Sequence, residues 1–464
     1  MTTDLHTLPD DLIDRSASAR RLVADASPDM RASWLDALAD ALDAAGGELV
    51  DLAAEETHLG RPRLQGELKR TTFQARLFAQ GLRNRSLVPA QVDHADPDWG
   101  MGPRPDLRRT VRGLGPVLVF AASNFPFAFS VCGGDTVSAI AAGCPVVVKA
   151  HPGHPRLSRR TAEVAVAALV AAGAPAGTLE LIEGTEESIA ALRDPRIKAA
   201  AFTGSTKGGR FLAQVAADRP DPIPFYGELG SVNPVVVTPA ALESRADEIR
   251  EGWIGSLTLG TGQFCTNPGL LLVPDADAFV AGIELPAMGA MLGTWIEDGY
   301  RAGLEHLESV PGVSLAATGG ADERGLAPAV LTTDAATVLA RPELLGEEVF
   351  GPAGLVVGYG TSERLTALLE ALPGQLTCTV VPGGEDDAVA AEVLPLLAEA
   401  AGRVIWDQWP TGVTVSAAQQ HGGPWPATTA PTTTSVGTEA ITRFQRPVAY
   451  QNVPQGLLPE ALRD

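Results

Sequence analysis

Residues 143–173 read GCPVVVKAHPGHPRLSRRTAEVAVAALVAAG: an apolar run ending on Lys149, a turn rich in His, Pro and Gly, and a stretch, Ser158 to Ala172, with helical character. A short apolar strand followed by a helix is the unit of a parallel sheet covered on both faces. The strand signal recurs at VLVF (117–120), AAAFTG (199–204) and VVV (235–237). A second series, LLLV (270–273), AVL (329–331), LVV (355–357), CTVV (378–381) and VIW (404–406), predicts another α/β unit beginning soon after Glu228. Upstream, Leu35, Leu38, Leu42 and Leu49 fall at helical or heptad spacing and predict a helical N-terminal layer. Two segments, RPDLRRTVRG (104–113) and FQRPVAYQNVP (444–454), mix strand formers with breakers and read as arms, either edge strands pairing between subunits or surface ribbons.

The 464 residues are 45% hydrophobic and 20% charged, enough to bury one large core or two to three smaller ones. A formal charge of −21 argues against nucleic acid or an anionic membrane as partner, so an anionic ligand must be held by local cations. The start, MTTDLHTLPDDLIDRS, has acidic residues and no apolar core of a secretory signal, and no apolar run is long enough to span a bilayer. A cytoplasmic location is the expectation. Cys132, Cys144, Cys265 and Cys378 lie scattered, without CxxC spacing or nearby His pairs, which points to reduced thiols, no disulfide framework and no metal site. Only residues 427–434 are locally biased in composition.

Two residues carry a chemistry. Cys265, in GTGQFCTNPG, offers a thiol nucleophile, and Glu228, in GELGSVNP, a carboxylate able to activate water; together they suit oxidation of an aldehyde through a thioester. Gly260, Thr261 and Gly262 would let the backbone approach a substrate closely. An isolated Cys is more often a small buried hydrophobe, so the neighbours matter. Asn124, in AASNFPFAF just after VLVF, could donate to an oxyanion or simply sit in a turn. FTGSTKGGR (202–210) follows a strand and leads into a helix, so Gly204 to Gly209, with Ser205, would aim free amides at a phosphate or merely connect the two elements. Lys149 stands at the carboxyl end of a strand, where such sheets bind ligands. Glu348, beside Phe350 in EEVFGP, could accept from ribose hydroxyls.

The ordered set SNFP, GCPVVVK, FTGSTKGG, GELG, GQFC and EEVFGP closely resembles the aldehyde dehydrogenase superfamily over most of the chain. The phrases TNPGL and HGGPWPATT, and the run around SNFPFAFSVCGG, are similar to the branch containing bacterial 2-oxoglutarate semialdehyde (2,5-dioxovalerate) dehydrogenases. The resemblance implies an aldehyde dehydrogenase-like fold in three parts. These are a Rossmann-like cofactor-binding domain (1–103 and 117–228), an α/β catalytic domain (229–424) and a small β oligomerisation domain (104–116 and 425–464), in a homodimer or homotetramer. It implies Cys265 as nucleophile, Asn124 as oxyanion donor and Glu228 as the base for thioester hydrolysis. For an NAD or NADP cofactor it implies Lys149 on a ribose, Ser205 and the turn from Gly204 to Gly209 at the diphosphate, Glu348 on the nicotinamide ribose and Phe350 near the nicotinamide.

This chain departs from the family at Gly230-Ser231-Val232, and at Pro152, where many NAD-preferring members carry a glutamate three residues after the lysine. Without that carboxylate NADP is expected to be accepted and preferred, with His154, Arg156 and Ser158 as candidates for its 2'-phosphate. The expected reaction is oxidation of 2-oxoglutarate semialdehyde to 2-oxoglutarate. The alternatives are NADP-dependent oxidation of a medium- or long-chain aldehyde, favoured by a Phe- and Leu-lined funnel lacking Arg, and a cofactor-binding protein without catalysis. Arg446, Arg443, Arg403 and His421 are candidates to anchor a substrate carboxylate.

Overall fold

The computed structural model describes residues 9–464; the start of the N-terminal stretch in which no secretory signal was read lies outside the described residues. Four helices come first: α1 (Pro9–Asp25), α2 (Pro28–Ala44), α3 (Gly46–Thr57) and α4 (Arg61–Arg83). The Ser27 side chain accepts from the Met30 amide and Pro28 opens α2 in its first turn, so the start of that helix is fixed locally. Leu35, Leu38 and Leu42 on α2 and Leu49 on α3 are all buried in one core, as their spacing predicts.

Two strands then leave the helical layer, β1 (Ala90–Asp93) and β2 (Leu107–Gly113). Next come β3 (Val117–Phe120), β4 (Val146–Lys149), β5 (Leu179–Ile182), β6 (Ala199–Thr203) and β7 (Phe225–Glu228), which form one parallel sheet in the order β5-β4-β3-β6-β7. Strands β3 and β4 are buried almost throughout, the signature of a sheet covered on both faces. The helix after β4 runs Pro155–Ala171, three residues earlier at its start than the stretch read from sequence, because Pro155 is preset for a first helical turn. Strand order reverses about β3, so the carboxyl ends of β3 and β6 flank the crevice where such sheets bind ligands.

The second sheet holds β8 (Val235–Val237), β9 (Leu270–Val273), β10 (Ser314–Thr318), β11 (Ala329–Asp334), β12 (Ala353–Gly358), β13 (Gln375–Val381) and β14 (Ala401–Trp406). Its order is β10-β11-β12-β9-β8-β13-β14, antiparallel only between β10 and β11. Finally β15 (Gln445–Gln451) pairs antiparallel with β2, from Gln445 opposite Gly113 to Gln451 opposite Leu107. Strand β1 covers the other side of β2, so Ala90–Asp93, which lies upstream of the first arm read from sequence, shares the arms' sheet. No described helix is long and apolar enough to cross a membrane.

Candidate active site

Four carboxyl ends of the first sheet converge on one cavity of about 620 Å³. Its walls include Asn124 after β3, Lys149 at the end of β4, Gly204 and Ser205 after β6, and Glu228 at the end of β7. The second sheet contributes Cys265, Glu348 and Phe350. Of the nine residues expected to act in catalysis or to hold the diphosphate, ribose and nicotinamide, only Gly209 is absent from the lining. A side chain there would run into Leu229, so its bareness serves helix-to-strand packing.

The phosphate-type turn has the expected build. Ser205 caps the helix Thr206–Ala217 by accepting from the Gly208 amide, which leaves the first amides of that helix facing an anion site. Lys149 is half-buried and, among the described residues, has no ion-pair or hydrogen-bond partner; burial lowers its pKa from the ordinary lysine value. Glu348 is held at Gly230, where any side chain would collide with its carboxylate. Burial, opposed by a hydrogen bond from the Ser231 amide, raises the Glu348 carboxyl to about 7. A bare turn on a helix start, an unpartnered cation and a buried carboxylate fit the diphosphate and ribose hydroxyls of a nicotinamide dinucleotide.

The 2'-phosphate candidates are differently engaged. His154 is buried, with Nδ1 on Ser158 Oγ at 3.2 Å and Nε2 on the Ala122 carbonyl at 3.1 Å, and Arg156 pairs with Glu55 at 3.0 Å. The Glu56 carboxylate already accepts from the Arg156 and Leu157 amides at the start of their helix. His151, also in the cavity wall, is pushed down to about 3 by burial and then by His154 and Lys149, so it is uncharged at neutral pH.

The reacting groups lie where the two sheets meet. The helix Pro239–Thr258 ends in a turn in which Gly260, Thr261 and Gly262 all have positive φ, at 55°, 59° and 65°. A side chain on Gly262 would strike the Gly351 backbone, so the bareness of that position serves the packing of this turn against residues 351–352. Cys265 follows, its carbonyl held at 2.8 Å by Asn233 Nδ2. Asn233 is itself buried, with φ of 49°, and also donates to the Asn267 carbonyl at 2.9 Å. Asn124 Nδ2 donates to the Gln263 carbonyl at 3.2 Å, which leaves its second N–H for an oxyanion.

One component was placed differently by the sequence. His421, a candidate carboxylate anchor there, is fully buried and sits between nucleophile and base: its Nε2 lies 3.5 Å from Cys265 Sγ and 2.9 Å from Glu228 Oε1. Ser435 donates to the other Glu228 oxygen and, through its amide, to the His421 carbonyl at 2.8 Å. The compositionally biased residues 427–434 form the strap that delivers these groups: the Leu229 amide donates to Ala427 and Glu228 bridges to Thr428. Burial would raise the Glu228 carboxyl, but the His421 ring and hydrogen bonds from His421, Ser435 and Cys265 outweigh it and hold the group below its ordinary value. Burial, and then the Glu228 charge, push the Cys265 thiol well above its ordinary value. Arg443 is buried against Asp135 at 2.6 Å and Arg446 is exposed on β15, so neither of these expected anchors joins the other groups at Cys265.

A crevice for a dinucleotide, and a thiol and carboxylate joined through an imidazole, are the parts of a cofactor-dependent oxidation at carbon. The chain matches the Aldehyde dehydrogenase family over residues 8–284 and belongs to it; it is an oxidoreductase acting on aldehydes. It is 47% identical over 446 residues to Alpha-ketoglutaric semialdehyde dehydrogenase 2 of Azospirillum brasilense, covering 94% of this chain and 85% of that one. It is 43% identical over 443 residues to the Alpha-ketoglutaric semialdehyde dehydrogenase of Acinetobacter baylyi, covering 94% and 84%. Among solved structures, Proline Utilization A of Bradyrhizobium japonicum has the same fold, with a TM-score of 0.80 at 24% identity over 96% of this chain; the chain spans 45% of that longer protein.

Proposed function

We propose that this enzyme oxidises 2-oxoglutarate semialdehyde to 2-oxoglutarate with NAD or NADP. The named relatives, alike over nearly the whole chain, support that substrate, and the hydrogen bond of Cys265 with Glu228 carries the mechanism. The Cys265 proton passes to Glu228, which accepts from the thiol and from His421 Nε2–H, as sulfur attacks the aldehyde carbon; Asn124 donates to the developing oxyanion, and Glu228 hands that proton to solvent before the next step. When bound, the nicotinamide cofactor supplies the hydride acceptor that turns the thiohemiacetal into a thioester. Glu228 then takes a proton from water, the resulting oxygen nucleophile attacks the acyl carbon, and the Cys265 thiol is released with the carboxylic acid.

Both cofactors are accepted in this reading, with NADP preferred, because Pro152 presents no carboxylate to a 2'-phosphate and Lys149 is an unpartnered cation in the cavity. The residues 1–103 and 117–228 act as the cofactor domain, 229–424 as the catalytic domain, and the sheet of β1, β2 and β15 as the seat of a homodimer or homotetramer in the cytoplasm. Kinetics with 2-oxoglutarate semialdehyde, pentanal and decanal, each with NAD and NADP, test the whole assignment. The oxo-acid semialdehyde should give the highest kcat/KM, and Cys265→Ser should abolish turnover. A tenfold preference for decanal would replace the substrate, and a tenfold preference for NAD would reverse the cofactor choice.

A further inference from the structure

Beside Cys265 the structure keeps buried guanidinium donors with nothing to bind. Arg63 and Arg70 lie two turns apart on α4, with Glu67 between them on the same face. Arg63 is packed against the Phe125 and Phe264 rings, at 5.3 and 4.6 Å from their centroids; the first ring follows Asn124 and the second precedes Cys265. Its Nη2 donates to the Asn124 carbonyl at 2.7 Å, while Nε and Nη1 are buried without a partner. Arg70 stands 5.4 Å from the Phe129 ring, which also lies 5.5 Å from the Phe125 ring and 6.3 Å from the His421 imidazole, and its Nη1 is likewise buried and unpartnered. Arg403 is pinned by the Pro410 and Gly412 carbonyls at 2.7 and 3.0 Å and leaves Nε buried without an acceptor.

Glu67 answers only part of this charge. One of its oxygens accepts from the Phe127 and Ala128 amides at 2.7 and 2.9 Å, the other is unpartnered, and it forms no ion pair with either arginine. Glu67 and Glu228 are the carboxylates whose charge reaches Arg70, so the three arginines beside the thiol are only partly neutralised. Buried N–H groups without acceptors are costly, and a chain that keeps four of them around one site gains when an anion fills it. In an extended five-carbon semialdehyde the carboxylate carbon lies about 5 Å from the aldehyde carbon, so a clamp for it has to stand close to Cys265.

We propose that Arg63 and Arg70, with Arg403, form the clamp for the carboxylate of the substrate, and that Phe125, Phe129 and Phe264 enclose its methylene carbons. This rests on the oxo-acid semialdehyde reading above. Among the anchors considered from sequence it retains Arg403, and it explains how an aromatic funnel selects a charged substrate.

The test is the ratio of kcat/KM for 2-oxoglutarate semialdehyde to that for pentanal, in wild type, Arg63→Met, Arg70→Met and Arg70→Lys. The ratio should fall about 30-fold or more in each Met variant, mainly through KM for the acid, with partial recovery in Arg70→Lys. A ratio within twofold of wild type in both Met variants overturns the clamp. A wild type that prefers pentanal removes the substrate reading, and the clamp with it, before any variant is made. If the variants do not fold, inhibition of wild type against aldehyde decides: glutarate should bind at least tenfold tighter than its diamide, and equal inhibition overturns the clamp.

Discussion

At Glu228 a buried carboxylate stays ionised beside a thiol that it helps to keep protonated. The resting site therefore stores its proton on sulfur, with Glu228 as the acceptor beside it. Replacing Glu228 by Gln removes the charge and the water base together. Thioester hydrolysis should slow by at least about 100-fold, so that acyl-enzyme accumulates, visible as an added acyl mass on intact protein after one turnover; a deacylation rate equal to wild type would remove Glu228 from that step. Glu348 makes a pH prediction. Burial raises its carboxyl to about 7, and in the proposed reading ribose hydroxyls would donate to the ionised form. Cofactor Kd should fall as pH rises from 6 to 8, and Glu348→Gln should flatten that dependence in fluorescence titrations.

Cys265 and Glu228 were legible as residues because a thiol and an acid in glycine-rich turns are locally unusual. The bond between them was not, since His421 lies 156 positions from Cys265 and nothing nearby marks it. Arg63 and Arg70 were hidden for another reason: arginines in a helical N-terminal layer look like a solvated face, and only packing shows that Phe125, Phe129 and Phe264 lie against them.

Among the elements, the loops are better fixed than their composition suggests. Asn233 ties the turn after β7 to the Cys265 loop through the Cys265 and Asn267 carbonyls, and accepts from Thr377 on β13 at 2.9 Å. Asn233→Ala removes these buried bonds and leaves a non-glycine residue at positive φ. It should cost about 3 kcal/mol in urea unfolding and reduce kcat as the Cys265 loop loosens; a cost below about 0.5 kcal/mol would show that the loop holds itself. Nine strands of the two sheets were readable because buried parallel strands are continuous apolar runs, whereas β5, β7 and β10, which are only partly buried or exposed, were not. β1 was not, since all but one of its four residues are exposed and no apolar pattern marks it.

Taken whole, the molecule assembles one site from distant parts of the chain: Glu228 closes the first sheet, Cys265 precedes β9 of the second, and His421 and Ser435 lie on the strap that leads to β15. Order of synthesis gives this arrangement a meaning. As the polypeptide leaves the ribosome, the nucleophile is exposed for the time needed to translate about 150 more residues, roughly ten to thirty seconds at ordinary speeds. Throughout that interval the sulfur has neither its imidazole neighbour nor the wall that limits access to it. An oxidant or stray electrophile therefore meets the thiol most openly during biogenesis, and damage would accrue to newborn chains before mature ones.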